Sequence, residues 1–391
     1  MRLAELFLSD LNLFALLKDV PRVALAVSGG SDSMAMLVLT LDWLKAQKNP
    51  PHIVVLTVDH GLRDASIGEA RQVKDWCAAL GICHEILTWE NKKPATGIQA
   101  KARQARYDLM SAWCVQNHVP ILLTGHTADD QAETVLMRKS RTSSAASLAG
   151  IWPERDWNGV RVVRPLLNLR RQDLRNFLKS RNQDWINDPS NEDERFERVR
   201  VRQKLAGEVH GFVGEAQAAQ TDEKRNQHLA DVWCEQNLRL HELGFVRFDR
   251  VAYLSLRPNV QDKVIVRLLS LCGMQNVVER AERAKLAMWL CLEAGTRRAL
   301  GGALFAKRRA QIIVGREPGR ISKIPYLIPI SGEVIWDGRF LVSGPVGAVV
   351  TAGTTKPRQK DIPAFIQASF PTVMRDGLIL DKGVKFVFLR H

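Results

Sequence analysis

Two stretches of this sequence combine residue types that could hold a phosphate and a cation side by side. The first is Ser28-Gly29-Gly30-Ser31-Asp32-Ser33. Its two glycines free the backbone to take conformations closed to other residues and to approach a ligand closely. If a helix opens behind them, its first amides and its dipole offer roughly half a positive charge, a geometry suited to pyrophosphate. The loop lacks the Lys of a Walker A sequence, so it is not a P-loop of that kind. A plain Gly-Ser turn with Asp32 or Ser33 capping a helix is the alternative. The second stretch is Gly125-His126-Thr127-Ala128-Asp129-Asp130-Gln131-Ala132-Glu133-Thr134. Asp130 and Glu133 stand three apart and share a face of any helix. An acidic pair there is what a cationic substrate requires; the alternative is a solvated helix start whose acids complement the dipole.

Three further groups carry polar chemistry: Asp59-His60-Gly61-Leu62-Arg63, Ala102-Arg103-Gln104-Ala105-Arg106-Tyr107, and Asp188-Pro189-Ser190-Asn191 followed by Arg195, Arg198, Arg200 and Arg202. His60 and His126 could each touch adenine, phosphate or a nucleobase, or be structural. The basic run lies among Glu192, Asp193, Glu194 and Glu197. It reads either as a salt-bridged helix or as phosphate contacts to a nucleic-acid stem, each adding about 0.9 to the salt slope on a duplex.

The elements that must position these residues follow from hydrophobic periodicity. Strands are predicted over 23–27, 53–58, 82–87 and 121–123, with helices over 33–46, 69–80, 99–117 and about 130–138. Such alternation implies an α/β fold with a parallel sheet covered on both faces. Ligands bind beyond the carboxyl ends of strands in such sheets, and the polar stretches mostly follow predicted strands. The pattern breaks over 187–203, reads mostly helical over 205–292, and turns to short β-like runs such as 333–336 and 339–343 after Glu317-Pro318.

With 391 residues the chain exceeds one ordinary core, which favours two or three domains. A net charge of +14, with 46% hydrophobic and 25% charged residues, describes a globular protein that attracts polyanions, most simply nucleic acid. The six cysteines show no C-x-x-C spacing, which argues against a zinc site and a disulfide framework. No signal peptide is expected, nor any apolar run of the roughly 20 residues that a membrane span needs, so the reading is a cytoplasmic protein without membrane contact.

The motif S-G-G-x-D-S resembles the PP-loop of N-type ATP pyrophosphatases. Together with the later stretches, the chain is similar to the bacterial tRNA(Ile)-lysidine synthetase family. The likeness covers residues 23 to about 203 and continues weakly at Leu300-Gly301-Gly302 with Arg316-Glu317, and at Trp336-Asp337-Gly338-Arg339-Phe340. It implies a PP-loop ATP-binding catalytic domain over 1–204 (adenine nucleotide alpha hydrolase-like), a helical tRNA-binding domain over 205–316 and a small C-terminal α/β tRNA-recognition domain over 317–391. It further implies a ligase that uses ATP and Mg2+ to adenylate O2 of the wobble cytidine in isoleucine tRNA with a CAU anticodon. The ε-amine of L-lysine then attacks C2 and displaces AMP.

Carried onto this sequence, the resemblance assigns Ser28, Gly29, Gly30, Ser31, Asp32, Ser33 and His60 to ATP, and Asp32 and Asp130 to magnesium. Asp130, Glu133 and Arg106 fall to lysine, while Arg195, Arg198, Arg200 and Arg202 fall to tRNA. Asp32, Asp130, Glu133 and Arg106 would carry catalysis. Arg106, like Arg103, could meet a phosphate or the lysine carboxylate. The lysine amine must first lose a proton, its ordinary pKa being about 10.4, and nearby carboxylates oppose that loss; the sequence names no base. Two departures from the family pattern concern tRNA handling more than ATP chemistry: Thr142 and Ser144 stand where glycines are usual, and Val199 where Asn is usual. The rivals are a thiolating PP-loop tRNA enzyme, disfavoured by the missing C-x-x-C, and a tRNA-binding protein with reduced catalysis.

Overall fold

The computed structural model describes residues 7, 13–18, 20–61, 66–90, 97–141, 145–187, 197–205, 207–272, 278–293, 295–321, 324–353, 362–380 and 383–389. The chain forms two compact units, Met1–Glu223 and Lys224–His391.

The first unit is built on β1 (Arg22–Ala26), β2 (His52–Asp59), β3 (Cys83–Thr88), β4 (Ile121–Thr124), β5 (Glu154–Trp157) and β6 (Val160–Val163), in the order β3-β2-β1-β4-β6-β5. All neighbours are parallel except the edge strand β5, which pairs antiparallel with β6. The chain runs outward from β1 through β2 to β3 and then returns to lay β4 on the other side of β1. This places a topological switch point between β1 and β4, where ligand crevices form. Register sets Ala26 opposite Leu56 on one side and Thr124 on the other, so the loops leaving β1 and β4 emerge side by side.

Side-chain alternation along β1 explains why both faces are covered. Val23, Leu25 and Val27 enter one core with α1 (Leu13–Leu17), α2 (Ser31–Leu44), α3 (Ser66–Ala79) and α7 (Arg171–Ser180). Ala24 faces the other core, with Tyr107, Met110 and Cys114 of α4 (Ile98–Gln116). The remaining helices of this unit are α5 (Ala128–Lys139), α6 (Ala145–Leu148) and α8 (Glu197–Lys204), followed by α9 (Val209–Asn237), within which the chain divides into its two units.

Each strand and helix predicted over 23–138 is present, with ends shifted by at most three residues. One shift matters: α2 begins at Ser31, so Ser31, Asp32 and Ser33 form its first turn. The β5–β6 hairpin and α7 were not predicted. The hairpin turns at Asn158-Gly159, both at positive φ (52° and 81°), the pair that a two-residue hairpin favours.

In the second unit the expected helical stretch is present as the rest of α9, α10 (Arg250–Leu254), α11 (Pro258–Leu271) and α12 (Arg280–Cys291). It is joined by an antiparallel sheet in the order β7-β8-β11-β10-β9: β7 (Arg239–His241), β8 (Phe245–Asp249), β9 (Arg297–Leu300), β10 (Ala303–Arg308) and β11 (Gln311–Arg316). Val264, Leu268 and Leu286 pack with Phe248, Phe305 and Val314 in its core. Among the described residues beyond 325 lie two small antiparallel sheets of four and three strands and one short helix. Among the described residues no helix is long and apolar enough to cross a membrane, and all six cysteines are free thiols.

Candidate active site beyond the carboxyl ends of β1 and β4

The loop after β1 owes its shape to two glycines that act differently. Gly29 has φ of 86°, where a Cβ would lie 2.5 Å from Ile186 Cδ1 and 3.0 Å from Val73 Cγ2. The amide of Ile186 donates to the Gly29 carbonyl at 2.9 Å, so the loop is clamped from behind. Gly30 has φ −70° and ψ 158°, ordinary extended backbone. The expectation that both glycines take special conformations is therefore corrected: only Gly29 does. At Gly30 a Cβ would meet nothing nearer than Ser28 Oγ at 3.8 Å, so neither conformation nor packing within the chain demands glycine there. Ser33 Oγ donates to the Gly30 carbonyl at 2.9 Å, and the Ser28 amide donates to Ser33 Oγ at 3.2 Å. Gly30 is the N-cap of α2 and supplies no side-chain cap to its amides, the arrangement that suits an anionic ligand.

Gly125, at the end of β4, brings the second stretch against the first. A Cβ there would lie 3.1 Å from Ser33 Cα and 3.2 Å from the Asp32 carbonyl. Two residues on, Thr127 caps α5 through a capping box. Its Oγ1 accepts from the Asp130 amide at 3.3 Å, while Asp130 Oδ2 accepts from the Thr127 amide at 2.9 Å. Asp130 thus serves as the capping acid of α5, and its other oxygen, Oδ1, is left for a second partner.

What that oxygen meets was missed in the sequence. Arg171, in the first turn of α7, reaches three carboxylates at once: Nε to Asp32 Oδ2 at 2.8 Å, Nη2 to Asp130 Oδ1 at 3.1 Å and Nη1 to Glu133 Oε1 at 3.5 Å. Its own amide donates to Asp129 Oδ2 at 2.8 Å, and Arg170 pairs with the same carboxylate at 3.3 Å. One turn along α7, Arg175 Nε donates to Ser31 Oγ at 3.4 Å. A signal was available: two arginines opening a helix oppose its dipole, so an external acid had to hold them.

Glu133 is fully buried. Its Oε1 accepts from Arg202 Nε at 2.8 Å, and its Oε2 has no hydrogen-bond partner. Burial raises the pKa of Asp32; Arg171 opposes the rise and the nearby Asp130 adds to it. Burial also pushes Asp130 upward, but Arg171, His126 and the Thr127 amide outweigh it and hold that carboxyl below its ordinary range. Burial, with Arg103, Arg164 and Arg198, lowers His126 to about 3 against the pull of Asp130, so its imidazole is neutral at pH 7. Its Nε2 lies 3.2 Å from Arg103 Nη2 and its Nδ1 3.2 Å from Thr124 Oγ1. His60, after β2, accepts from Arg106 at 3.1–3.2 Å. Both histidines therefore hold guanidiniums at the carboxyl edge of the sheet.

Of the basic run, Arg198 and Arg200 are exposed, while Arg202 is bound to Glu133. Val199 is buried. Arg63, Thr142, Ser144, the 188–191 turn and Arg195 lie outside the described residues. The Leu148-Ala149-Gly150 segment is anchored by Arg138 Nη1, which donates to the Ser147 and Gly150 carbonyls at 3.2 and 2.9 Å. Gln131 adds a two-point grip on the backbone of Ile151, accepting at 2.6 Å and donating at 3.1 Å. Among the described residues, no group of three or more His, Cys, Asp or Glu is disposed to hold a metal ion.

A family of PP-loop domains matches residues 3–209. A tRNA(Ile)-lysidine synthase of Mesorhizobium japonicum is 36% identical over 337 residues, covering 80% of this chain and 70% of that protein. The chain belongs to the tRNA(Ile)-lysidine synthase family. Other relatives bearing that name are found in Rhodopseudomonas palustris, 36% identical with 80% of this chain and 95% of that protein covered, and in Orientia tsutsugamushi, 32% identical with 86% and 78% covered. The PP-loop family match, residues 3–209, includes the loop after β1, the acidic cluster and Arg171.

Proposed function

We propose that this chain is a lysidine-forming ligase, converting the wobble cytidine of a CAU-anticodon isoleucine tRNA with ATP and L-lysine. The observation that carries the reading is the juxtaposition, across the β1–β4 switch point, of an uncapped helix N-terminus with a buried acidic cluster. In this reading the amides opening α2 receive the departing pyrophosphate while AMP passes to O2 of the cytidine. The lysine amine then forms the C2–N bond as AMP leaves.

Asp32 and Asp130 fit a divalent cation: both are hard oxygen donors, and one guanidinium spans them. Two carboxylates alone make an incomplete set, which suits Mg2+ completed by substrate phosphates and water. Bound there, the ion would neutralise the charge that develops on the leaving phosphates. Glu133 fits the lysine ammonium, because its buried Oε2 lacks a donor and such an oxygen is costly to leave unpaired. Arg106 and Arg103, each held by an imidazole nitrogen and not by a carboxylate, would take an anionic group, either a phosphate or the lysine carboxylate. His126, at about 3, accepts hydrogen bonds but takes up no proton at neutral pH.

Exposed Arg198 and Arg200 would meet the anticodon stem, with Arg195 of the same run. The 205–316 and 317–391 segments would contact the tRNA body. In the former, Arg283 and Lys285 are already paired with Asp262 and Glu282, while Arg308 and Arg309 are exposed. Free thiols throughout and a nucleic-acid substrate support a cytoplasmic location.

The test is incubation with ATP, Mg2+, labelled lysine and the CAU-anticodon tRNA, following lysine in RNA and AMP release in parallel. Sulfur incorporation in place of lysine would transfer the assignment to a thiolase.

A further inference from the structure

Arg171 fills the space that the proposed reading gives to two incoming cations. Its guanidinium contacts Asp32, Asp130 and Glu133 within 2.8–3.5 Å, and its side chain is only 15% exposed. Three carboxylates from two helices would repel one another strongly in so enclosed a space without a cation between them. One guanidinium, with five donors in a planar fork, is suited to hold several carboxylates together. A divalent ion would come to the Asp32 and Asp130 carboxylates that Arg171 holds, and an ammonium on Glu133 Oε2 would add a further positive charge beside the guanidinium, so the three cations compete for one enclosed acidic cluster.

The backbone of Arg171 is fixed. Its amide is held by Asp129, and the Leu169 carbonyl accepts from the Ala128 amide at 3.0 Å. Any exchange therefore moves the long side chain and leaves α7 in place.

We infer that Arg171 is a resident counter-cation, a positioning residue that holds the acidic cluster assembled in the unloaded enzyme and is displaced when the divalent ion and the lysine ammonium bind. This inference rests on the proposed assignment of Asp32, Asp130 and Glu133 to those cations. It predicts an unusual sign: removing the arginine should strengthen cation binding while weakening the fold.

The experiment titrates full-length protein, without ATP or tRNA, with Mn2+ (free ion followed by electron paramagnetic resonance) and with labelled lysine (equilibrium dialysis). Arg171→Met should melt at lower temperature than the wild type, bind Mn2+ at least fivefold more tightly, and recover more of its melting temperature on adding Mn2+. Arg171→Lys should return Mn2+ affinity toward the wild-type value. Asp129→Asn, which loosens the anchor of Arg171 and leaves the three carboxylates intact, should tighten Mn2+ binding by a smaller factor and serves if Arg171→Met does not fold. Equal or weaker Mn2+ binding in the folded variants, with the wild-type signal abolished by Asp130→Asn, overturns the counter-cation role alone. Mn2+ binding that Asp32→Asn and Asp130→Asn leave untouched overturns the site assignment itself.

Discussion

Replacing Gly29 by Ala tests the phosphate loop most directly, because the structure separates two costs that the substitution incurs. At φ 86° a side-chain-bearing residue costs about 1–2 kcal/mol. The new Cβ would also sit 2.5 Å from Ile186 Cδ1 and 3.0 Å from Val73 Cγ2, overpacking worth about 1–3 kcal/mol. Both obstacles are ends of side chains and can yield in part, so the expected loss of stability is about 2–4 kcal/mol. Ile186→Ala removes the nearer obstacle yet keeps the 2.9 Å backbone bond to the Gly29 carbonyl. In the double variant the two changes should be less harmful together than their sum, by about 1–2 kcal/mol. The conformational cost should remain. Urea unfolding of the four proteins gives the cycle, and ATP–pyrophosphate exchange gives the KM for ATP, which should rise in Gly29→Ala and recover only partly in the double variant. Strict additivity would refute the steric clamp, and wild-type KM in Gly29→Ala would refute the loop's role in holding the nucleotide.

Three further outcomes are expected. Asp130→Asn should abolish adenylation of the tRNA, read as pyrophosphate release, whereas Glu133→Ala should raise the KM for lysine far more than that for ATP; equal wild-type activity in both sinks the assignment. His126 has a folded pKa of about 3 against an ordinary value near 6.5, so as pH falls below about 7 the unfolded chain takes the proton first and stability drops. His126→Gln should show a shallower loss between pH 7 and pH 5 in urea unfolding, and identical slopes would mean that the imidazole is not held neutral. Arg198→Ala and Arg200→Ala should each lower the salt dependence of tRNA binding by a slope of up to about 0.9. An unchanged slope in both would leave the basic run as a structural helix.

Much of the site was legible locally. A strand, a glycine at positive φ and a helix start specify a loop that leaves the first helical amides without a side-chain cap, through backbone conformation that acts over a few residues. The i, i+3 spacing of Asp130 and Glu133 likewise places them on one face whatever the rest of the fold does, and both do reach Arg171. The alternation of apolar runs specified a parallel sheet, because strands covered on both faces leave the same pattern wherever they lie in the order.

Tertiary structure decided the rest. The order β3-β2-β1-β4-β6-β5 makes neighbours of the loops after β1 and β4, and Gly125 permits their contact for a reason visible only against Ser33. The rank of the two loop glycines depended on Ile186, more than 150 residues away in sequence. Arg171 and Arg202 became visible only as partners of distant acids, because a buried charge must be neutralised by whatever the fold brings near. That requirement is a property of enclosed space, and periodicity, propensity and spacing along one chain do not contain it.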